Sequence, residues 1–127
     1  MTPPPEDRFR RSVSRLTTLL SYWTPSRFSA AASPLTGEAV AALCASSGSA
    51  VDDGGTVADK LQVVAQVLAD LGADAEGRPR RTVPRLSEPA VFADQLLVLG
   101  NDLAAAGAAP DALDRVTDHL DALRAAL

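Results

Sequence analysis

An all-α fold, a small helical bundle of four main helices plus one short helix, is predicted by three features of the 127-residue sequence. Ala and Leu supply most of its apolar residues, and both are strong helix formers. The strand-favouring aromatics make up only 4% of the chain, and four of the five precede residue 30. Apolar residues recur at steps of three and four, the spacing of one helical face. A chain of this length suits one domain with a modest core. Residues 8–127 are therefore expected to form a single helical-bundle domain behind a flexible, Pro-rich leader, 1–7.

Each element has its own signals. Phe9, Val13, Leu16, Leu19, Leu20 and Trp23 form the apolar face of a first helix, with Glu6 and Asp7 suited to its first turn and Pro25 as its end. Residues 26–34 read as a connector. A short helix follows with Thr36 as cap and Leu35, Val40, Leu43 and Cys44 facing inward. "SSGSAVDDGG" is a loop. Thr56 caps a stronger helix striped by Val57, Leu61, Val64, Leu68 and Leu71, with Gly72 as its stop. Residues 73–87, rich in Arg and Pro, read as a mobile basic loop. Ser87, Glu88 and Pro89 open the next helix, which carries Val91, Phe92, Leu96, Leu99 and Leu103 to about Gly107. After Pro110 and Asp111, the residues Leu113, Val116, Leu120, Leu123 and Leu127 step by three and four as a heptad seam.

"ADKLQVVAQVLADLGA", from Ala58, is nearly rewritten as "ADQLLVLGNDLAAAGA", from Ala93. The spacing resembles a helical solenoid repeat but fails that test, because an Arg/Pro loop stands where a second helix of the unit belongs. Two pseudo-equivalent partners in one bundle remain the expectation.

Charge is segregated along the chain. Residues 1–30 carry +3, residues 31–77 carry −6, residues 78–86 carry +4 and residues 87–127 carry −5, within a total of −4. Basic segments can thus dock on acidic helices, in the same molecule or another. The balance argues against a nucleic-acid binder. The twin arginines Arg10 and Arg11 precede only an interrupted apolar run, so a cytoplasmic location is expected over export.

No catalytic, cofactor-binding or metal-binding residue is assigned. Nucleophilic chemistry would need Cys44 or a Ser beside a base, and His119 is the single imidazole. Cys44 sits in an Ala-rich helix, where a buried structural role is expected. Asp111, Asp114, Asp118 and Asp121 share one flank of the last helix but lack the Glu-x-x-His pairs of a di-metal bundle, so they read as a solvated face. "DDGG" lacks the ligand alternation of a calcium loop.

The expected function is a non-catalytic adaptor or accessory subunit that binds another protein or itself. Its expected contact residues are the seam Leu113, Val116, Leu120, Leu123 and Leu127, together with Arg78, Arg80, Arg81 and Arg85 in the loop. An exposed seam would be an aggregation liability, so it must be covered internally or by another chain. The alternative is peripheral binding to an anionic membrane surface through the basic helix 8–24, using Arg8, Arg11, Arg15 and Trp23. Arg80 and Arg81 before Thr82 also resemble a basic-directed phosphorylation site.

Overall fold

The computed structural model describes residues 2–50 and 54–127, and within them it contains helices and no strand. The loop expected around Asp52 and Asp53 lies partly outside the described residues. Among the described residues, five helices of at least three turns and one single-turn helix stand in place of the expected four-plus-one arrangement.

Helix α1, Pro5–Ser21, starts inside the expected leader because Pro5 takes the first helical position, where a missing N–H leaves no bond unmade. Glu6 and Asp7 fall in its first turn, and Phe9, Val13, Leu16 and Leu20 are buried. Pro25 does not merely end this helix. It begins the single-turn α2, Pro25–Phe28, whose cap is Thr24 accepting from the Arg27 amide at 3.3 Å.

Helix α3, Pro34–Ser47, is capped by Ser33 and not by Thr36: the Ser33 hydroxyl accepts from the Thr36 amide at 3.2 Å. That start buries Thr36, Val40, Leu43 and Cys44 on one face. Leu35, expected inside, falls about 100° away around the helix and is 65% exposed.

Helix α4, Val57–Glu76, opens with a reciprocal capping box. The Thr56 hydroxyl accepts from the Asp59 amide at 3.0 Å, and the Asp59 carboxylate accepts from the Thr56 amide at 3.1 Å. Thr56→Ala is expected to lower stability by about 1 kcal/mol, the usual loss of a side-chain cap, measured by urea unfolding. Gly72 is not the stop; the helix runs on to Gly77, whose φ of +68° makes the left-handed turn.

Helix α5, Pro89–Ala105, and helix α6, Pro110–Ala126, both carry Pro at the first position. Helix α1 packs on α5 and α6, α4 packs on α3 and α5, and α3 packs on α6. The five long helices therefore close a ring in the order α1, α5, α4, α3, α6 around one core. The ends of α2 and α4 are tied by Val57 N–H to Ala30 O at 2.8 Å and Ala32 N–H to Gly55 O at 2.7 Å.

The repeated segments do lie side by side as α4 and α5, but their positions are not equivalent. Leu61 and Leu68 match Leu96 and Leu103 in burial, while buried Val63 corresponds to exposed Val98. Helix α4 is covered on nearly every side and α5 on two. The paired glycines differ as well. Gly72 lies within α4 opposite the Leu103 backbone, whereas Gly107, at φ +78°, ends α5.

Gly100 marks the tightest crossing. A Cβ there would stand 2.7 Å from Val13 Cγ1, and a β-branched neighbour has little freedom to turn away. Gly100→Ala is expected to cost about 1–2 kcal/mol, overpacking outweighing the gain in helix propensity. In a Val13→Ala background the same change is expected to be neutral or stabilising, by chemical denaturation of the four chains of the cycle.

Candidate interaction surfaces

The heptad seam of α6 is an internal surface. Leu113, Val116, Leu120 and Leu123 are buried in the core and Leu127 packs half-buried against it. Helices α1 and α3 supply the covering. Docking of a partner helix on this seam is therefore corrected: this chain already satisfies it. Part of the acidic row beside it is likewise engaged. Arg8 reaches Asp114 at 2.7 Å and Asp118 at 3.6 Å, and the Ser12 hydroxyl donates to Asp121 at 2.7 Å. Asp114 and Asp121 thus orient α1 on α6, while Asp111 and Asp118 stay exposed.

The residues of the membrane alternative separate. Trp23 lies buried just beyond α1, with the Arg27 guanidinium 4.3 Å above its ring and no hydrogen-bond partner for its indole N–H among the described residues. It does not stand on an outer face with the arginines. Arg8 is paired, while Arg11 and Arg15 are exposed on α1 with no acidic partner among the described residues. No helix among the described residues is long and apolar enough to cross a membrane.

The segment expected to be a mobile loop is laid along α4. Asp59, Gln62, Gln66, Asp70 and Asp74 form a polar row on that helix, spaced by three and four residues. Arg80 binds Asp74 at 2.7 Å, stands 3.7 Å from Asp70 and donates to the Ser47 carbonyl at 2.9 Å. Gln66 donates to Arg81 O at 2.8 Å and accepts from Val83 N–H at 2.9 Å. Gln62 donates to Val83 O at 3.0 Å, and Gln95 of α5 donates to Pro84 O at 3.2 Å. Arg85 pairs with Asp59, and Arg78 with Glu76. Val83 turns into the core; Arg81 and Thr82 face solvent. Arg80 and Arg85, with the glutamine contacts to main chain, therefore hold a strap in place, which the Arg/Pro composition alone did not reveal.

The electrostatics follow. Asp59 is held down to about 2, first by the hydrogen bond from Arg85 and then by the Thr56 amide and hydroxyl. Asp74 is lowered by its hydrogen bond from Arg80. Because both folded carboxyls titrate below their ordinary 3.8, their stabilisation is complete above that value and is lost as pH falls through the folded pKa. Acid unfolding of Asp59→Asn is expected to be less steep between pH 4 and about 2 than that of the parent chain, followed by circular dichroism.

Cys44 is buried, and burial pushes its thiol up against a weaker opposing pull from Lys60. A raised, covered thiol presents little thiolate. Alkylation of Cys44 in the folded chain is expected to be slow and to accelerate on adding denaturant, read by mass spectrometry. His119 is half-buried on α6, and no three His, Cys, Asp or Glu residues among those described gather as a metal site requires.

Val91, expected on the apolar stripe of its helix, is instead one of several large apolar side chains left exposed, because it falls about 100° around the helix from buried Phe92. Among the described residues they are Tyr22, Leu35, Val91, Leu97 and Val98, three of them on α5. Val91 and Val98, two turns apart, are 49% and 57% exposed. The step of seven between them was the available signal, masked by the equally apolar buried face of the same helix. Asp94, Asn101 and Asp102 border them. Comparison with protein-family models, with curated proteins and with solved structures finds no match.

Proposed function

We propose that this chain is a non-catalytic protein-interaction module, an adaptor or accessory subunit, and that α5 presents its contact face. The observation that carries this reading is the concentration of exposed apolar side chains on α5, at Val91, Leu97 and Val98, within an acidic and amide border. An apolar centre with a polar rim is how protein interfaces are built. The helix leaves this side open because its other sides are taken by α1 and α4. A partner protein or a second copy would be held mainly by burial of the two valines and Leu97.

The test uses a photo-crosslinking residue at Val98 in the full chain, with Val91→Asp as the disrupting change. A discrete crosslinked product that Val91→Asp removes, at unchanged thermal stability, supports the reading. A chain that stays monomeric and uncrosslinked, or a product indifferent to Val91→Asp, overturns it.

A second reading, attachment to an anionic membrane surface, is favoured by Arg11 and Arg15, which are exposed and have no acidic partner among the described residues. With Trp23 in the core it lacks an apolar anchor, and one or two surface arginines attract weakly at physiological salt. The chain is expected to stay unbound in flotation with phosphatidylserine vesicles, and flotation that Arg11→Glu/Arg15→Glu abolishes would restore this reading.

A further inference from the structure

The strap at 78–86 meets α4 as a ligand meets a groove. Its lower-numbered end lies by Asp70 and Asp74 and its higher-numbered end by Asp59, so it runs antiparallel to the helix. Asp59 to Asp70 spans about 16 Å of helix and Arg80 to Arg85 about 16 Å of extended chain, and the Arg80 side chain reaches one turn further along the helix to Asp74. Gln66 grips one carbonyl and one amide two residues apart, as a neighbouring strand would, and Gln62 and Gln95 take the carbonyls of Val83 and Pro84. These contacts read main chain, not side-chain identity. Selectivity comes from three places: the acidic sites for Arg80 and Arg85, and the core position of Val83.

Two features mark the fit as exchangeable. Only Val83 and Leu86 of the strap pack on the core; the rest is held by part-buried hydrogen bonds and by Arg80 and Arg85, whose solvent-accessible guanidinium groups reach the covered carboxylates of Asp70 and Asp59. It also leaves its groove underfilled. A pocket of about 180 Å³, partly open to solvent, remains beside Pro79 and Arg81, lined by Leu68, Gly72 and Leu99 together with Arg78 and Asp102.

We propose that the groove between α4 and α5 is a recognition site for an extended basic peptide of pattern Arg-x-x-Val-x-Arg from another protein, and that residues 78–86 occupy it as an internal stand-in. The incoming segment carries a larger apolar side chain where this chain has Pro79, filling the cavity that the strap leaves. This groove and the α5 valines are separate surfaces, so either assignment can fail alone.

The experiment titrates two fluorescein-labelled peptides, the sequence 78–86 and the same peptide with Pro79→Leu, into the full-length chain. The receptors are the wild type and a variant with its own strap weakened by Arg80→Ala, Val83→Ser and Arg85→Ala. Saturable binding is expected at least tenfold tighter to the weakened-strap variant than to the wild type. The Leu peptide is expected to bind several-fold tighter than the parent peptide, and Gln66→Ala in the receptor to reduce binding about tenfold. Absence of saturable binding to the folded variant, or binding indifferent to Gln66→Ala, overturns the proposal. If the weakened-strap variant does not fold, amide exchange at Val83 of the wild type is followed with the Leu peptide in millimolar excess. Faster exchange as the strap is displaced supports the proposal, and unchanged exchange overturns it.

Discussion

Leu120→Asp is expected to unfold the chain outright. Leu120 is 1% exposed, at the centre of a seam enclosed by α1 and α3. Removing a buried Leu side chain costs about 2–5 kcal/mol before any charge is considered. A carboxylate placed there has no compensating cation in the apolar cluster, and burying it unpaired adds several kcal/mol more. The sum reaches the whole stability of an ordinary domain, about 5–15 kcal/mol. The measurement is far-UV circular dichroism with a thermal ramp: a weakened helical signal and no cooperative transition. Had the seam been a docking surface, the same substitution would have left a folded monomer. Val98→Asp provides the contrast, because its site is open to solvent, and its melting temperature is expected to match the parent's.

The second large effect is expected at Phe92. Its ring is buried near the start of α5 and tilts against Phe28, with centroids 5.4 Å apart and planes at 46°. Helix α2 is a single turn and cannot hold itself in place by backbone bonds alone. The Phe28 ring is its only buried side chain, so the pair fastens the α1–α3 connection to the bundle. Phe92→Ala is expected to cost about 3–5 kcal/mol, from lost burial and the cavity left behind. A double-mutant cycle with Phe28→Ala should show a coupling of about 0.5–1.5 kcal/mol beyond area burial. Urea unfolding monitored by circular dichroism reads both quantities. Additive single changes would mean that the rings do not act together.

The parts of this fold that were legible in the sequence are those with a long apolar period and a Pro or hydroxyl start. The opening of α5 at Glu88 and Pro89, the cap at Thr56 and the start of α6 at Pro110 all follow from such signals. Helix α2 escaped because four residues are too few to show a period, and Pro25 reads equally as a stop or a first turn. Gly72 was mistaken for an end because composition does not distinguish a glycine that permits close helix approach from one that takes a left-handed turn; Gly77 takes that turn.

Charge segregation was legible, and three arginines of the basic segments reach acids of the acidic ones: Arg8 with Asp114, Arg80 with Asp74, Arg85 with Asp59. The strap was not legible as a strap. Gln62 and Gln66 are ordinary helix formers, and nothing in their identity announces that they bind backbone. The readable hint was geometric: a polar row of Asp59, Gln62, Gln66, Asp70 and Asp74 followed at once by four arginines in nine residues. The α5 valines were hidden for the opposite reason, since an apolar residue in an apolar helix looks like core until the helix's neighbours are known.

The central claim is that the Arg/Pro segment is latched to α4 through the glutamine row. Amide hydrogen exchange at Val83, resolved by NMR in the parent chain and in Gln66→Ala, tests it most directly. The account predicts a Val83 amide that exchanges far more slowly than those of Arg81 and Thr82, and that loses this protection in Gln66→Ala. Exchange at the free-peptide rate for Val83 in the parent chain would contradict it.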